Sequence, residues 1–279
     1  MLTNLTNSAK AFLFFAIAFG LTVTVSLLAP LLGDMTGFIH MFTPAVSVLI
    51  MMLVVTRDGY TKAGWATLGL HRAGLRWWLL ALAGPLAVMS VVYGLVWSTG
   101  VAHAVWPDGY TLADLAAGLA LGIATSSVVA LGEEIGFRGY LLPRLMHLGT
   151  PRALLLSGLL HAIWHFPLML LTPVFPILGN WFIIGPIVLL TLTAAGVFYS
   201  YLQLRSRSVW PATLAHGTVN MSFDLFRLFT VTASPLALEY LAGETGVITL
   251  VATALSAGVI LYRLRQRRGK LAMQLRSGV

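Results

Sequence analysis

The chain has 279 residues, of which 58% are hydrophobic and only 9% charged, and it contains no cysteine. Soluble domains carry nearer ~25% charged residues, so a soluble enzyme is excluded, as are disulfides and thiolate nucleophiles. The net charge of +8 lies in alternate loops and a basic tail. It lacks the aromatic interleaving or binding fold that a nucleic-acid partner requires, so no nucleic acid is expected.

The apolar residues fall into blocks of about the ~20 residues that cross a hydrocarbon core as a helix. In chain order these are 11–32, 38–56, 77–100, 112–135, 152–172, 180–203, 209–230 and 245–263. The alternating pattern of a membrane barrel is absent. The expected fold is therefore all-α: a polytopic helical membrane protein of about eight transmembrane helices, with a core bundle around an intramembrane polar cavity. A single integral membrane domain, 1–279, accounts for the whole length, with its core at about 112–230. Only Lys10 precedes the first block, which is long for a signal peptide and lacks a small-x-small cleavage site. It is expected to be a retained span.

Arg57, Lys62, Arg72 and Arg76 lie between spans two and three, Arg144 and Arg152 between four and five, and Arg205 and Arg207 between six and seven. The alternate loops hold Asp34, Asp108, Asp114, Glu239 and Glu244. This positive-inside pattern predicts a multi-pass cell-membrane protein with both termini cytoplasmic. The basic tail, 264–279, is expected to meet anionic lipid headgroups. The loop 57–76 is amphipathic, with Trp65, Leu68 and Leu70 on its apolar side, and is expected to lie on the cytoplasmic leaflet. Trp77, Trp78, Trp106, Trp181 and Trp210 read as interface anchors. His40, His71, His103 and His147 read as solvated groups at interfaces or in loops.

Glycine and proline mark the fourth and fifth spans. Gly132-xxx-Gly136 predicts a close helix approach, Pro143 a bend or end of the helix, and Pro167 non-helical geometry at Phe166. Tyr140 and Trp164 are candidate cavity residues.

Against this apolar background stand Glu133-Glu134-xxx-Arg138, His161-xxx-His165 and His216-xxx-Asn220. Ionisable groups within a span are costly and tend to face a wet interior and mark function. At ~1.5 Å per residue all three pieces reach a similar depth, roughly 12–20 Å from one end of their helices. Residues four apart share a helix face, so Glu134 is expected to pair with Arg138, and Glu133, turned about 100° away, to face the site. Asp224 continues the His216 face and is expected to pair with Arg227. A carboxylate beside a neutral histidine can hold and deprotonate a water. Asn and His N–H groups can stabilise an oxyanion. Without a serine or cysteine nucleophile on these faces, the residues point to amide hydrolysis by an activated water.

The three motifs resemble those of the CAAX-protease and bacteriocin-processing family of intramembrane endopeptidases, which includes the type II CAAX prenyl proteases. Its pattern of Glu-Glu-x-x-x-Arg, Phe-x-x-x-His and His-x-x-x-Asn reads here E133-E134-I-G-F-R138, H161-A-I-W-H165 and H216-G-T-V-N220. The resemblance implies that Glu133 and His165 activate the water and that His216 and Asn220 form the oxyanion hole, with Glu134 and Arg138 in support. His161 stands where the family usually has Phe and joins the supporting set. The implied substrate is a peptide or protein tail, with or without a lipid. Metal-free catalysis is the expectation, because the His-Glu-x-x-His zinc signature is absent. Zn2+ held by Glu133, His165 and His216 is the alternative. A proton-coupled transporter and a non-catalytic immunity or assembly factor using the same pocket are the competing readings.

Overall fold

The computed structural model describes residues 5–277, with side chains described through Gln266. Eight long helices cross it in chain order: α1 (Asn7–Leu27), α2 (Met35–Ile50), α3 (Trp78–Ser98), α4 (Leu112–Glu134), α5 (Thr150–Leu171), α6 (Trp181–Ser206), α7 (Trp210–Leu228) and α8 (Val247–Ser277). The model is 80% helical, which makes this an all-α membrane bundle. Seven of the eight are long and apolar enough to span a bilayer; α7 falls outside that group. Its apolar pattern is interrupted by His216, Asn220, Asp224 and Arg227, so the polarity that lowers its hydropathy is the polarity of the site.

Local chemistry sets the helix starts. The Thr6 hydroxyl caps α1, Thr111 and Asp114 form a reciprocal capping box at α4, and the Asn180 side chain caps α6. Each accepts a backbone N–H that would otherwise lack a partner at a helix end. Helix α5 runs through Pro167 to Leu171, contrary to the expected non-helical geometry at Phe166, and Pro167, Leu168 and Met169 are buried in the bundle. Pro143 does not end its segment either. A π-helical turn, Ile135–Leu141, follows α4 directly, and Pro143 opens the short helix Leu142–Leu145. A proline is tolerated in a first turn, where its missing N–H would lack an intrahelical partner.

The helices pack as α4 along α7, α5 along α6, α3 along α7 and α8 along α6. Gly132 and Gly136 make the predicted close approach: a Cβ would sit 2.6 Å from the Met41 carbonyl oxygen and 2.5 Å from Pro44 Cβ, both on α2. The main core gathers Phe14, Met51, Met52, Phe137, Tyr140, Leu141 and Trp164. A second cluster, Met89, Val92, Tyr93 and Val96, closes the other end of α3. A two-stranded ribbon pairs β1 (Ala102–Ala104) with β2 (Thr230–Thr232). Phe12, Leu79 and Phe182 remain exposed on the outer surface, as lipid contact requires.

The loop 57–76 is exposed over most of its length and is anchored through its apolar residues. Leu68 is fully buried in the main core. Val209 donates its N–H to Gly69 O, and Trp210 donates its indole N–H to Leu70 O. Burying Leu68 and pairing these backbone groups docks the loop on the start of α7. Trp65 is 37% exposed and donates its indole N–H to Gly59 O. The side chains of the basic tail beyond Gln266 lie outside the described residues.

Candidate active site

Glu133 and Glu134 end α4, and Arg138 sits in the π turn that follows. Wide turns of this kind are rare and recur at functional sites. All three side chains are fully buried. Helix α5 brings His161 and His165, and α7 brings His216 and Asn220. Two contacts let the helices close around these groups. A Cβ on Gly196 of α6 would meet Gly158 Cα of α5 at 2.5 Å and Arg138 Nη2 at 2.8 Å, and one on Gly217 would meet Ser127 Oγ at 2.4 Å.

The buried groups form one connected chain. Arg138 Nη1 donates to Glu134 Oε1 at 2.9 Å and lies 2.9 Å from His161 Nδ1. His161 Nε2 lies 2.7 Å from Glu133 Oε2. His216 Nδ1 lies 2.8 Å from Glu134 Oε1. His165 Nε2 is further from Glu133 Oε2, at 3.5 Å. The expected Glu134–Arg138 pair is therefore present, and Glu133 faces α5. Its nearest partner is His161 rather than His165.

These contacts assign protons. A guanidinium only donates, so His161 Nδ1 accepts from Arg138, the ring proton sits on Nε2, and that proton is donated to Glu133. His216 Nδ1 donates to the Glu134 carboxylate, which leaves its Nε2 uncommitted. Glu133 Oε1 and Glu134 Oε2 are buried without a partner. Donor atoms of Glu133, His161 and His216 all lie within 4.8 Å of one another, close enough to hold an ion. His165, the third ligand of the expected zinc set, is outside that group.

A cavity of about 670 Å³ opens in front of the network, with His161, His165, His216 and Asn220 in its wall. Glu133 and Glu134 lie behind that wall. Most of the lining is apolar and comes from α3, α6 and α8, including Pro85, Met89 and Phe198. Tyr199 stacks on His216 with ring centroids 5.0 Å apart, and the Arg138 guanidinium lies 5.1 Å from the same ring. Nothing in the sequence distinguished Tyr199 from other aromatic residues of an apolar helix.

Several expectations are corrected here. His40 is not solvated: it is 1% exposed, stacks on Trp164 with centroids 3.9 Å apart, and bonds to Thr22. The bundle covers it because α1 and α5 both pack over α2 in that region. Tyr140 and Trp164 do not line the cavity; both are fully buried in the main core against Phe14 and Phe137. Asp224 and Arg227 form no ion pair among the described residues. Asp224 instead lines the cavity, as does Glu244, which sequence placed in a solvent loop.

The family comparison falls on this region of the chain. Residues 115–222 match the family described as type II CAAX prenyl endopeptidase Rce1-like. This segment is similar to that family over somewhat less than half of the chain. It carries all seven of the network and cavity residues named in the three motifs, and the match supports a CAAX-type intramembrane peptidase. No curated protein matches the chain.

Proposed function

We propose that the chain hydrolyses a peptide bond with a water activated by Glu133. The observation that carries this reading is the fixed, buried series Glu134–Arg138–His161–Glu133 set directly behind a cavity walled by His165, His216 and Asn220. His161 holds Oε2 of Glu133 and leaves Oε1 free to take a proton. On this reading the water enters from the cavity past His165, gives a proton to Glu133 and attacks the substrate carbonyl carbon. His216 Nε2, protonated while Glu134 balances its charge, donates with the Asn220 amide to the oxyanion. Collapse breaks the C–N bond, and Glu133 returns its proton to the leaving amine. Preorganised donors of this kind are worth about 10²–10³ in rate each.

The substrate on this reading is a peptide or protein tail, with or without a lipid, that reaches the site from the end bearing the loop arginines, the cytoplasmic end by the positive-inside rule. The purified full chain in liposomes, given farnesylated and unmodified tail peptides, tests it. Glu133→Ala should abolish product while the variant keeps its helical content and monodispersity. Turnover retained in that variant would sink the assignment. Catalysis without metal predicts unchanged turnover after exhaustive chelation; activity lost to a chelator and restored by Zn2+ would overturn that part alone.

A further inference from the structure

The cavity continues past the catalytic side chains. Arg263 lines it toward one end of the membrane-spanning part of α8, and Thr249, toward the other end, lines it together with Glu244 and Asp224. From Thr249 to Arg263 the helix rises about 21 Å, and Asp224 lies one turn, about 6 Å, beyond Asn220 on α7. An extended peptide covers ~3.3–3.6 Å per residue, so this end is reached about two residues past the carbonyl held at Asn220. Among the described residues, Asp224 and Glu244 are the acids in the cavity wall.

These acids differ from Glu133 and Glu134 in lacking a direct ion-pair partner among the described residues. Burial pushes the Glu244 carboxyl above its ordinary range; His165 and His216 act against that rise, and the Glu133 and Asp224 carboxylates add to it. A second feature at the same end is independent of charge. Thr249 is 1% exposed, lines the cavity, and its hydroxyl has no hydrogen-bond partner. A buried hydroxyl without a partner is costly.

We propose that Glu244, Asp224 and the Thr249 hydroxyl form a subsite for a cationic side chain of the substrate, an ammonium or a guanidinium, about two residues beyond the bond that is cut. An ammonium has three donors and no acceptor, matching two carboxylates and one hydroxyl oxygen. The subsite rests on the peptidase reading for the identity of its ligand.

Binding can be read without turnover. The full chain carrying Glu133→Ala, in lipid nanodiscs, is titrated with lipid-anchored alanine peptides that carry one lysine or one norleucine at successive positions. At one position lysine should bind about tenfold tighter than norleucine, the scale of one hydrogen bond to a charged group. Adding Glu244→Gln should reduce the ratio below about twofold, and Asp224→Asn should weaken it independently. Equal affinity for lysine and norleucine at every position overturns the subsite. So does a preference that survives both substitutions. Cleavage by the unmodified chain is scored separately. Lysine-selective binding without cleavage supports the subsite and sinks the peptidase reading, and cleavage without selectivity does the reverse.

Discussion

Two pairs of carboxylates lie along one cavity and are treated in opposite ways. Glu133 and Glu134 are fully buried, yet each is hydrogen-bonded to a neighbouring helix or turn through Arg138, His161 or His216. Glu244 and Asp224 line the cavity and form no ion pair among the described residues. Removing a charge from water costs several kcal/mol unless it is paired. The first pair meets that cost within the fold and is thereby held in one geometry. The second leaves it to be met by whatever enters. On the proposed reading, the contrast separates groups that perform chemistry from groups that choose what the chemistry acts on.

The strongest way to break this comparison is at Glu133. Glu133→Ala or His216→Ala should lower turnover by about 10³-fold or more, measured by product formation in liposomes with the helical content unchanged. The next effect is on folding. Arg138→Leu leaves the Glu134 charge buried with only His216, and breaking such a pair costs about 3–5 kcal/mol. A large loss of Tm or of folded yield in detergent checks it, and a melt like that of the unmodified chain would show that the ion pair does not hold the site.

Smaller effects sharpen the comparison. His161→Phe, which installs the residue usual in the resembling family, removes the proton donated to Glu133. It should lower kcat about tenfold, the scale of one hydrogen bond to a charged group, with KM little changed. His161→Gln keeps a donor and an acceptor and should recover part of the loss; no recovery would mean that the ring acts by packing. Gly132→Ala sets a Cβ 2.6 Å from Met41 O and should destabilise by about 1–3 kcal/mol through overpacking, read as a lower Tm.

The smallest effect has a sign fixed by pH. The folded chain holds the Glu244 proton more tightly than the unfolded chain does. Stability from this group is therefore complete below its ordinary value of 4.5 and falls as pH rises through the raised folded value. Glu244→Gln should raise Tm at pH 8 and leave it unchanged at pH 4. The opposite sign would show that a cation already pairs with Glu244 in the resting protein.

Much of the bundle was legible because lipid imposes one rule: a backbone that crosses hydrocarbon must satisfy its own hydrogen bonds. Long apolar blocks then read as helices, and the glycine pair at 132 and 136 as a close contact. The candidate site was legible for the converse reason, since Glu133, Glu134, His165 and His216 are expensive where they stand. Residues of ordinary cost gave no such signal. Tyr199, Gly158 and Gly196 look like any packing residue of an apolar helix, and the π turn at Ile135–Leu141 leaves no mark in composition.

Sequence by itself determined the helical membrane fold, the grouping of three polar motifs at one depth, and the Glu134–Arg138 pair, because periodicity and the cost of buried charge act locally along each helix. Only the tertiary structure decided that His161 takes its proton position from Arg138 and holds Glu133, that His40 is buried under α1 and α5, and that Asp224 and Glu244 face the cavity rather than solvent. Those facts depend on which faces of separate helices meet. That is set by side-chain packing between segments far apart in the chain, which no local pattern encodes.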